Sequence, residues 1–406
     1  MTTPTHLTSL RLSSLEIDPR LKDGLPDLGL EYCTPIQAET LPKALRGENV
    51  AGQAQTGTGK TAAFLIATLH RLLSQEPLPT RRANQPRALI VAPTRELAQQ
   101  IAADAKPLCE QTGISYTLVY GGTGYKSQQD AVIAGVDLLI GTPGRLIDYH
   151  KQRNYDLQAL EVAVLDEADR MFDLGFIKDI RYLFNRMPPP DKRLNLLFSA
   201  TLSHKVMELA YEHLGNPEWI RTETDSVTAA RVREQLFHVE NRDKIWLLLH
   251  LLAEHEPTRT MLFVNTKRVA ENVTDMLRRG GHAVGELTGD VPQNQRERML
   301  SDFKENKVKI LVATDVAARG LHIPAVSHVI NYDLPQDAED YVHRIGRTAR
   351  AGADGDAISL CCERYVYSLP DIEQYIGYKL NAEHPDPAWL QPVKLAPPDP
   401  NTRRRP

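Results

Sequence analysis

Short apolar runs punctuate this chain, and each is followed by a longer segment in which apolar residues recur at helical spacing. ALIVA (88–92) precedes RELAQQIAADA, VDLLI (136–140) precedes GRLIDYHKQ, VAVL (162–165) precedes a group of carboxylates, and LLFS (196–199) precedes HKVMELAYEHL. Runs this short, bounded by Gly, Pro, Thr or Asp, suit strands covered on both faces of a parallel sheet. Their alternation with helices predicts a doubly wound α/β architecture. The polar stretch 216–235 breaks the rhythm and reads as a linker or an incoming strand. The rhythm then resumes with TMLFV (260–264), AVGEL (283–287), KILVA (309–313), SHVINY (327–332) and DAISLCC (356–362). The pattern predicts a segment 1–38, an α/β domain 39–218, a linker 219–230 and a second α/β domain 231–382. The remainder, 383–406, is rich in Pro and has no periodicity, so it is expected to be extended or disordered.

Composition changes this picture little. A chain of 406 residues is comfortable as two domains, and 42% hydrophobic with 25% charged residues describes a globular protein. The formal net charge of −4 lacks the bulk signature of a nucleic-acid binder, so any such binding must come from a local basic surface. The four cysteines, Cys33, Cys109, Cys361 and Cys362, fit no zinc spacing and read as small apolar interior residues. No secretory start and no membrane-length apolar run are present. A cytoplasmic monomer without membrane attachment is expected.

Chemistry enters with AGQAQTGTGKT (51–61), a Gly-rich turn opening the helical pattern AAFLIATLHRLL. Such a turn presents backbone N–H groups to phosphate at the positive end of a helix dipole. The loop comprises Ala54, Gln55, Thr56, Gly57, Thr58, Gly59, Lys60 and Thr61, with Ala54 where the usual P-loop pattern has Gly. Lys60 is expected to reach the β- and γ-phosphates of ATP, and the Thr61 hydroxyl to sit on Mg2+. In VAVLDEADRMFDLGF (162–176) an apolar strand ends in Asp166 and Glu167. Ligands of parallel sheets bind at the carboxyl ends of strands, so Asp166 can serve the metal and Glu167 can orient a water. The plainer alternative is that both simply start a helix. In YVHRIGRTARAG (341–352), Arg344, Arg347 and Arg350 recur every third residue, along one face if the segment is helical. They read either as a solvated face or, for Arg347 and Arg350, as arginine fingers for a γ-phosphate.

Taken in order, CTPIQ (33–37), AQTGTGKT, PTREL (93–97), TPGR (142–145), VLDEAD, SAT (199–201), ATDVAARGL (313–321) and HRIGRTAR (343–350) resemble the motifs of the DEAD-box RNA helicases from about residue 10 to about 380. The resemblance implies two RecA-like domains, RNA-stimulated ATP hydrolysis, and local unwinding of short duplexes. It implies that Gln37 reads the adenine edge. Asp169, Ser199, Thr201, His343 and Arg344 would serve coupling between the domains, with Ser199 and Thr201 linking the nucleotide site to RNA through Asp169. RNA contacts would come from Pro93, Thr94, Arg95, Gly121, Gly122, Thr142, Pro143, Gly144 and Arg145 in the first domain. Thr266, Gln293, Arg296, Thr314, Arg319 and Gly320 would supply them in the second. Backbone contact implies little sequence preference, and 2′-hydroxyl contact implies RNA over DNA. The likeness is strongest to bacterial members that work in RNA turnover, which implies ribonuclease E and the RNA degradosome as partners. A non-catalytic RNA clamp in such an assembly is the competing reading.

Three positions depart from the family pattern. Leu12 stands where an aromatic residue usually stacks on adenine, which predicts weaker base discrimination. Ala349 replaces the Gly common between the fingers. His322 stands where an Asp is often found near the ribose.

Overall fold

A computed structural model of the chain describes residues 7–54, 57–122, 124–222, 232–318, 326–348 and 354–397. The chain divides into two compact units, Met1–Thr224 and Asp225–Pro406.

Among the described residues, the first unit holds seven parallel strands: β1 (Val50–Gln53), β2 (Ala88–Val91), β3 (Tyr116–Val119), β4 (Leu138–Gly141), β5 (Val162–Leu165), β6 (Leu194–Ser199) and β7 (Glu218–Arg221). Their order across the sheet is β3-β4-β2-β5-β6-β1-β7. The central strands are buried along their whole length, which is why they read as unbroken apolar runs. Helices cover both faces and form two apolar layers. One is built around Phe64, Ile90, Ile101 and Phe198, the other around Leu89, Leu139, Met171 and Leu197. Helix Arg95–Thr112 shows the local logic: Thr94 Oγ1 accepts from the Leu97 N–H at its start, and Gly113 ends it at φ +73°. The N-terminal segment belongs to this core. Leu12, Leu21, Leu25 and Cys33 are buried in it, and Cys33 N–H donates to Leu10 O.

The second unit repeats the plan with β8 (Val232–His238), β9 (Thr260–Phe263), β10 (Val284–Leu287), β11 (Ile310–Ala313), β12 (His328–Asn331), β13 (Gly355–Cys361) and β14 (Ala382–Glu383). Among the described residues the order is β10-β11-β9-β12-β13-β8-β14. Counted from each unit's own first strand, the two orders are identical.

Two expectations are corrected and one is refined. Trp219–Arg221, assigned above to the linker, lie in β7 and pair with β1; 223–230 lie outside the described residues. Residues 384–397, expected to be extended or disordered, are mostly exposed, but Trp389, Leu390 and Leu395 are half-buried against the second core. The Trp389 ring stacks on His250 at 4.8 Å and meets Phe237 edge-on at 6.3 Å. Leu390 and Leu395 join the same layer, and Arg279 Nε donates to Ala396 O at 2.8 Å. Prolines erase periodicity, but single apolar anchors still bury. Lastly, helix Ala338–Ile345 ends before Arg347, so Arg344 and Arg347 do not share one helical face.

Candidate nucleotide and RNA site

The phosphate loop joins β1 to helix Lys60–Ser74. Gly57 and Gly59 take φ of +88° and +90°, where a side chain is strained. A Cβ on Gly59 would also lie 2.5 Å from Gln37 Nε2. Both glycines are therefore required by geometry, and Ala54, buried with ordinary backbone, is tolerated at the loop's start. Lys60 opens the helix, is 6% exposed, and donates from Nζ to Ala54 O at 2.6 Å. Gln37 is buried at the third position of helix Pro35–Ala44. Its Nε2 donates to Gly59 O (3.0 Å) and its Oε1 accepts from Thr34 N–H (2.9 Å). A Gln amide has two donors and two lone pairs. The bond to Gly59 ties the loop to helix Pro35–Ala44, the bond to Thr34 caps that helix, and together they take one of each. Leu12 is buried in the core rather than presented as an open face. Gln55 and Thr56 lie outside the described residues.

Asp166 and Glu167 follow β5 directly and are buried. Asp166 N–H donates to Val91 O, continuing the pairing with β2, and Asp166 Oδ1 accepts from Glu167 N–H at 2.9 Å. Burial pushes the Asp166 carboxyl up to about 7, helped by the charges of Glu167 and Asp169 and opposed by Lys60. Glu167 sits at φ +50°, a left-handed conformation that costs a non-glycine residue on the order of 1 kcal/mol. One of its carboxylate oxygens meets Arg170 Nη1 at 2.5 Å. Asp169 Oδ2 accepts from Ala200 N–H (3.1 Å) and Thr201 N–H (3.0 Å), while Ser199 Oγ accepts from Asp169 N–H (3.1 Å). The carboxylate segment after β5 is thus bonded to the SAT segment after β6.

The first unit's RNA candidates come from the adjacent strands β2, β3 and β4, and the nucleotide residues from β5, β6 and β1. Thr94 caps helix Arg95–Thr112. Arg95 lies against Gly122, where a Cβ would come within 2.5 Å of its Nη1. Thr142 precedes helix Pro143–Lys151, in which Gly144 is exposed and Arg145 half-buried. In the second unit Thr266 caps helix Lys267–Arg279, accepting from Val269 N–H. Gln293 begins helix Gln293–Lys304 and donates to Glu297, and Arg296 Nη2 donates to Ala317 O, two residues after Asp315. Thr314 is buried at the end of β11. The same half of each sheet therefore carries the RNA candidates.

Arg344 is 1% exposed and turned into its own unit. Its Nε and Nη2 each lie 2.6 Å from an Asp315 carboxylate oxygen, and Nη2 also donates to Asn265 Oδ1. Through these bonds it fastens β9, β11 and helix Ala338–Ile345 together. His343 is half-exposed, 4.0 Å from Asp340. Arg347 is buried beyond the helix end. Arg319, Gly320, His322, Ala349 and Arg350 lie outside the described residues, as do Arg403, Arg404 and Arg405. Sequence reasoning missed Gln128 and Tyr149, which belong to no motif, and Lys244 and Asp333, which pair across 89 residues.

Residues 34–209 match the DEAD/DEAH box helicase family and residues 243–352 the helicase conserved C-terminal domain. The chain is 55% identical over 399 residues to the ATP-dependent RNA helicase RhlB of Escherichia coli K12, covering 97% of this chain and 95% of that protein. Among solved structures it resembles Saccharomyces cerevisiae Dbp5 bound to RNA and ADP BeF3 (TM-score 0.80, 31% identity, 93% of this chain and 96% of that one). It also resembles Mss116p bound to ssRNA and AMP-PNP (TM-score 0.82, 26% identity, 95% and 82%). With both family models matched in the expected units and a relative this similar along nearly the whole chain, this protein belongs to the DEAD-box RNA helicases.

Proposed function

We propose that the chain hydrolyses ATP to ADP and phosphate, is stimulated by RNA, and opens short RNA duplexes locally. The observation that carries this reading is the bonding of Asp169 to Ser199, Ala200 and Thr201, which ties the nucleotide edge of the first sheet to a neighbouring strand end. Lys60 supplies positive charge to the terminal phosphates. The one N–H and one lone pair left on the Gln37 amide complement the N7 acceptor and N6 donor of adenine. Glu167 orients the attacking water through its carboxylate, which Arg170 steadies.

Asp166 and the Thr61 hydroxyl are the proposed oxygen ligands of the metal. Among the described residues no cluster of three acidic, His or Cys ligands exists. That fits Mg2+, which keeps waters and phosphate oxygens as most of its ligands. When bound, it neutralises phosphate charge. Arg347 and Arg350 of the second unit are the proposed fingers for the γ-phosphate. Pro93–Arg95, Gly121–Gly122, Thr142–Arg145, Thr266, Gln293, Arg296, Thr314, Arg319 and Gly320 are the proposed RNA contacts, made to sugar and phosphate. By its likeness to RhlB the work is RNA degradation, with ribonuclease E and the degradosome as proposed partners.

ATP turnover measured alone, with RNA, and with DNA of the same sequence tests the reading. Stimulation by RNA alone is expected. Absence of turnover would favour an RNA clamp, and equal stimulation by DNA would remove the 2′-hydroxyl argument.

A further inference from the structure

Arg145, in the TPGR segment, is held by neutral groups. Its Nη1 donates to Tyr149 Oη (3.0 Å) and Gln128 Oε1 (3.4 Å), and its guanidinium lies 4.7 Å from the Tyr125 ring centre and 5.2 Å from that of Tyr149. Among the described residues no carboxylate pairs with it, so its charge stays available to an anion. The same two partners reach further. Gln128 Oε1 also accepts from Tyr120 N–H (2.9 Å), the residue before Gly121–Gly122. Tyr149, fully buried, donates from Oη to Tyr125 O (2.5 Å), at the start of the helix that carries Gln128.

We infer that Gln128 and Tyr149 are positioning residues for RNA: they lock the Gly121–Gly122 turn to helix Pro143–Lys151 and set Arg145 toward a phosphate. This rests on the reading of Arg145 as an RNA contact. A long, freely rotating Arg loses side-chain entropy when it grips a phosphate, and one already held loses less. Neutral acceptors achieve that hold without cancelling the charge, which an Asp or Glu partner would do. Tyr149 and Gln128 touch no RNA in this account. Their effect passes through Arg145 and the turn.

The test uses the full chain, a single-stranded oligoribonucleotide and RNA-stimulated ATP turnover at one fixed salt concentration. Tyr149→Phe keeps the ring and removes the hydroxyl, while Gln128→Leu removes the amide. Because these are independent, failure of one to fold leaves the other to decide. Each is expected to raise the half-stimulating RNA concentration about three- to tenfold while kcat at saturating RNA and KM for ATP hold. In an Arg145→Ala background, the Tyr149→Phe effect is expected to shrink to the part that passes through the turn. Unchanged half-stimulation in both single variants would overturn the inference. So would an undiminished Tyr149→Phe effect in the Arg145→Ala background. If Arg145→Ala alone leaves RNA affinity intact, the RNA role of Arg145 fails first, and the positioning role with it.

Discussion

In the first unit the helix after the first strand opens with Lys60, whose ammonium bonds to a backbone carbonyl. In the second unit the helix after the first strand opens with Lys244, wholly buried, whose ammonium lies 2.5 Å from Asp333. The carboxylates match as well. Asp166 follows β5 and donates its N–H to the end of β2; Asp333 follows β12 and donates its N–H to the end of β9. With one strand order in both units, these are the same places in the same fold. Only their use differs. Lys60 and Asp166 flank a glycine loop, and Lys60 is held by a neutral carbonyl. Lys244 and Asp333 neutralise each other. Tyr332 lies under the Lys244 ammonium at 4.3 Å, and Asn265 N–H is bonded to the second Asp333 oxygen. Function here follows from how an equivalent pair of positions is filled, not from topology.

The largest effect that separates the two sets is catalytic. Glu167→Gln is expected to slow hydrolysis by about 10²–10⁴-fold while ATP and RNA still bind and the RNA complex lives longer. Single-turnover hydrolysis with a binding titration checks it, and wild-type turnover would remove Glu167 from the mechanism.

Next comes stability. Lys244→Met strands the Asp333 charge in the interior and should cost about 3–5 kcal/mol of unfolding free energy, read by denaturant titration. Replacing both members, with Asp333→Leu added, should recover most of that loss. Lys60→Met, at the matching place, should change stability by less than about 1 kcal/mol yet end turnover. Comparable destabilisation by the two lysine substitutions would dissolve the contrast.

A smaller effect is pH-dependent. The Asp166 carboxyl is raised from 3.8 to about 7 by burial, so the stability it lends is full below pH 3.8 and is lost as pH rises to about 7. In the metal-free protein Asp166→Asn should therefore raise the melting temperature at pH 8 by a few degrees and leave it unchanged near pH 4. Asp333→Asn should lower it at pH 8. Stabilisation by both, or by neither, would mean that the two carboxylates are not differently used.

The smallest concerns Leu12. An absent aromatic stack is worth about 0.5–1.5 kcal/mol, so the preference for ATP over GTP in turnover should be weaker by up to about tenfold than in a family member with the aromatic residue. Strict preference for ATP would show that Gln37 suffices.

Much of this was legible in the chain. Both-face burial writes strands such as VAVL and KILVA as unbroken apolar runs, and a glycine loop before a helix announces phosphate. The edge strands were not legible. β7 (EWIR) is half exposed and β14 is two residues long, so neither carries an apolar signature. Nor was the fate of Arg344. A spacing of three suggests a shared helical face, but the helix ends at Ile345, and an Asp315 carboxylate 29 residues upstream decides where Arg344 points. The Trp389 anchor was hidden for a related reason: one ring seated on His250 needs no repeat.

One working nucleotide site per chain, in the first unit, is the central expectation. Equilibrium binding of ATP to the full chain with saturating RNA and Mg2+ measures this directly. One nucleotide per chain is expected, falling to none in Lys60→Ala and staying at one in the Lys244→Met, Asp333→Leu double variant. Two nucleotides per chain, or nucleotide still bound without Lys60 and lost with the Lys244–Asp333 pair, would contradict it.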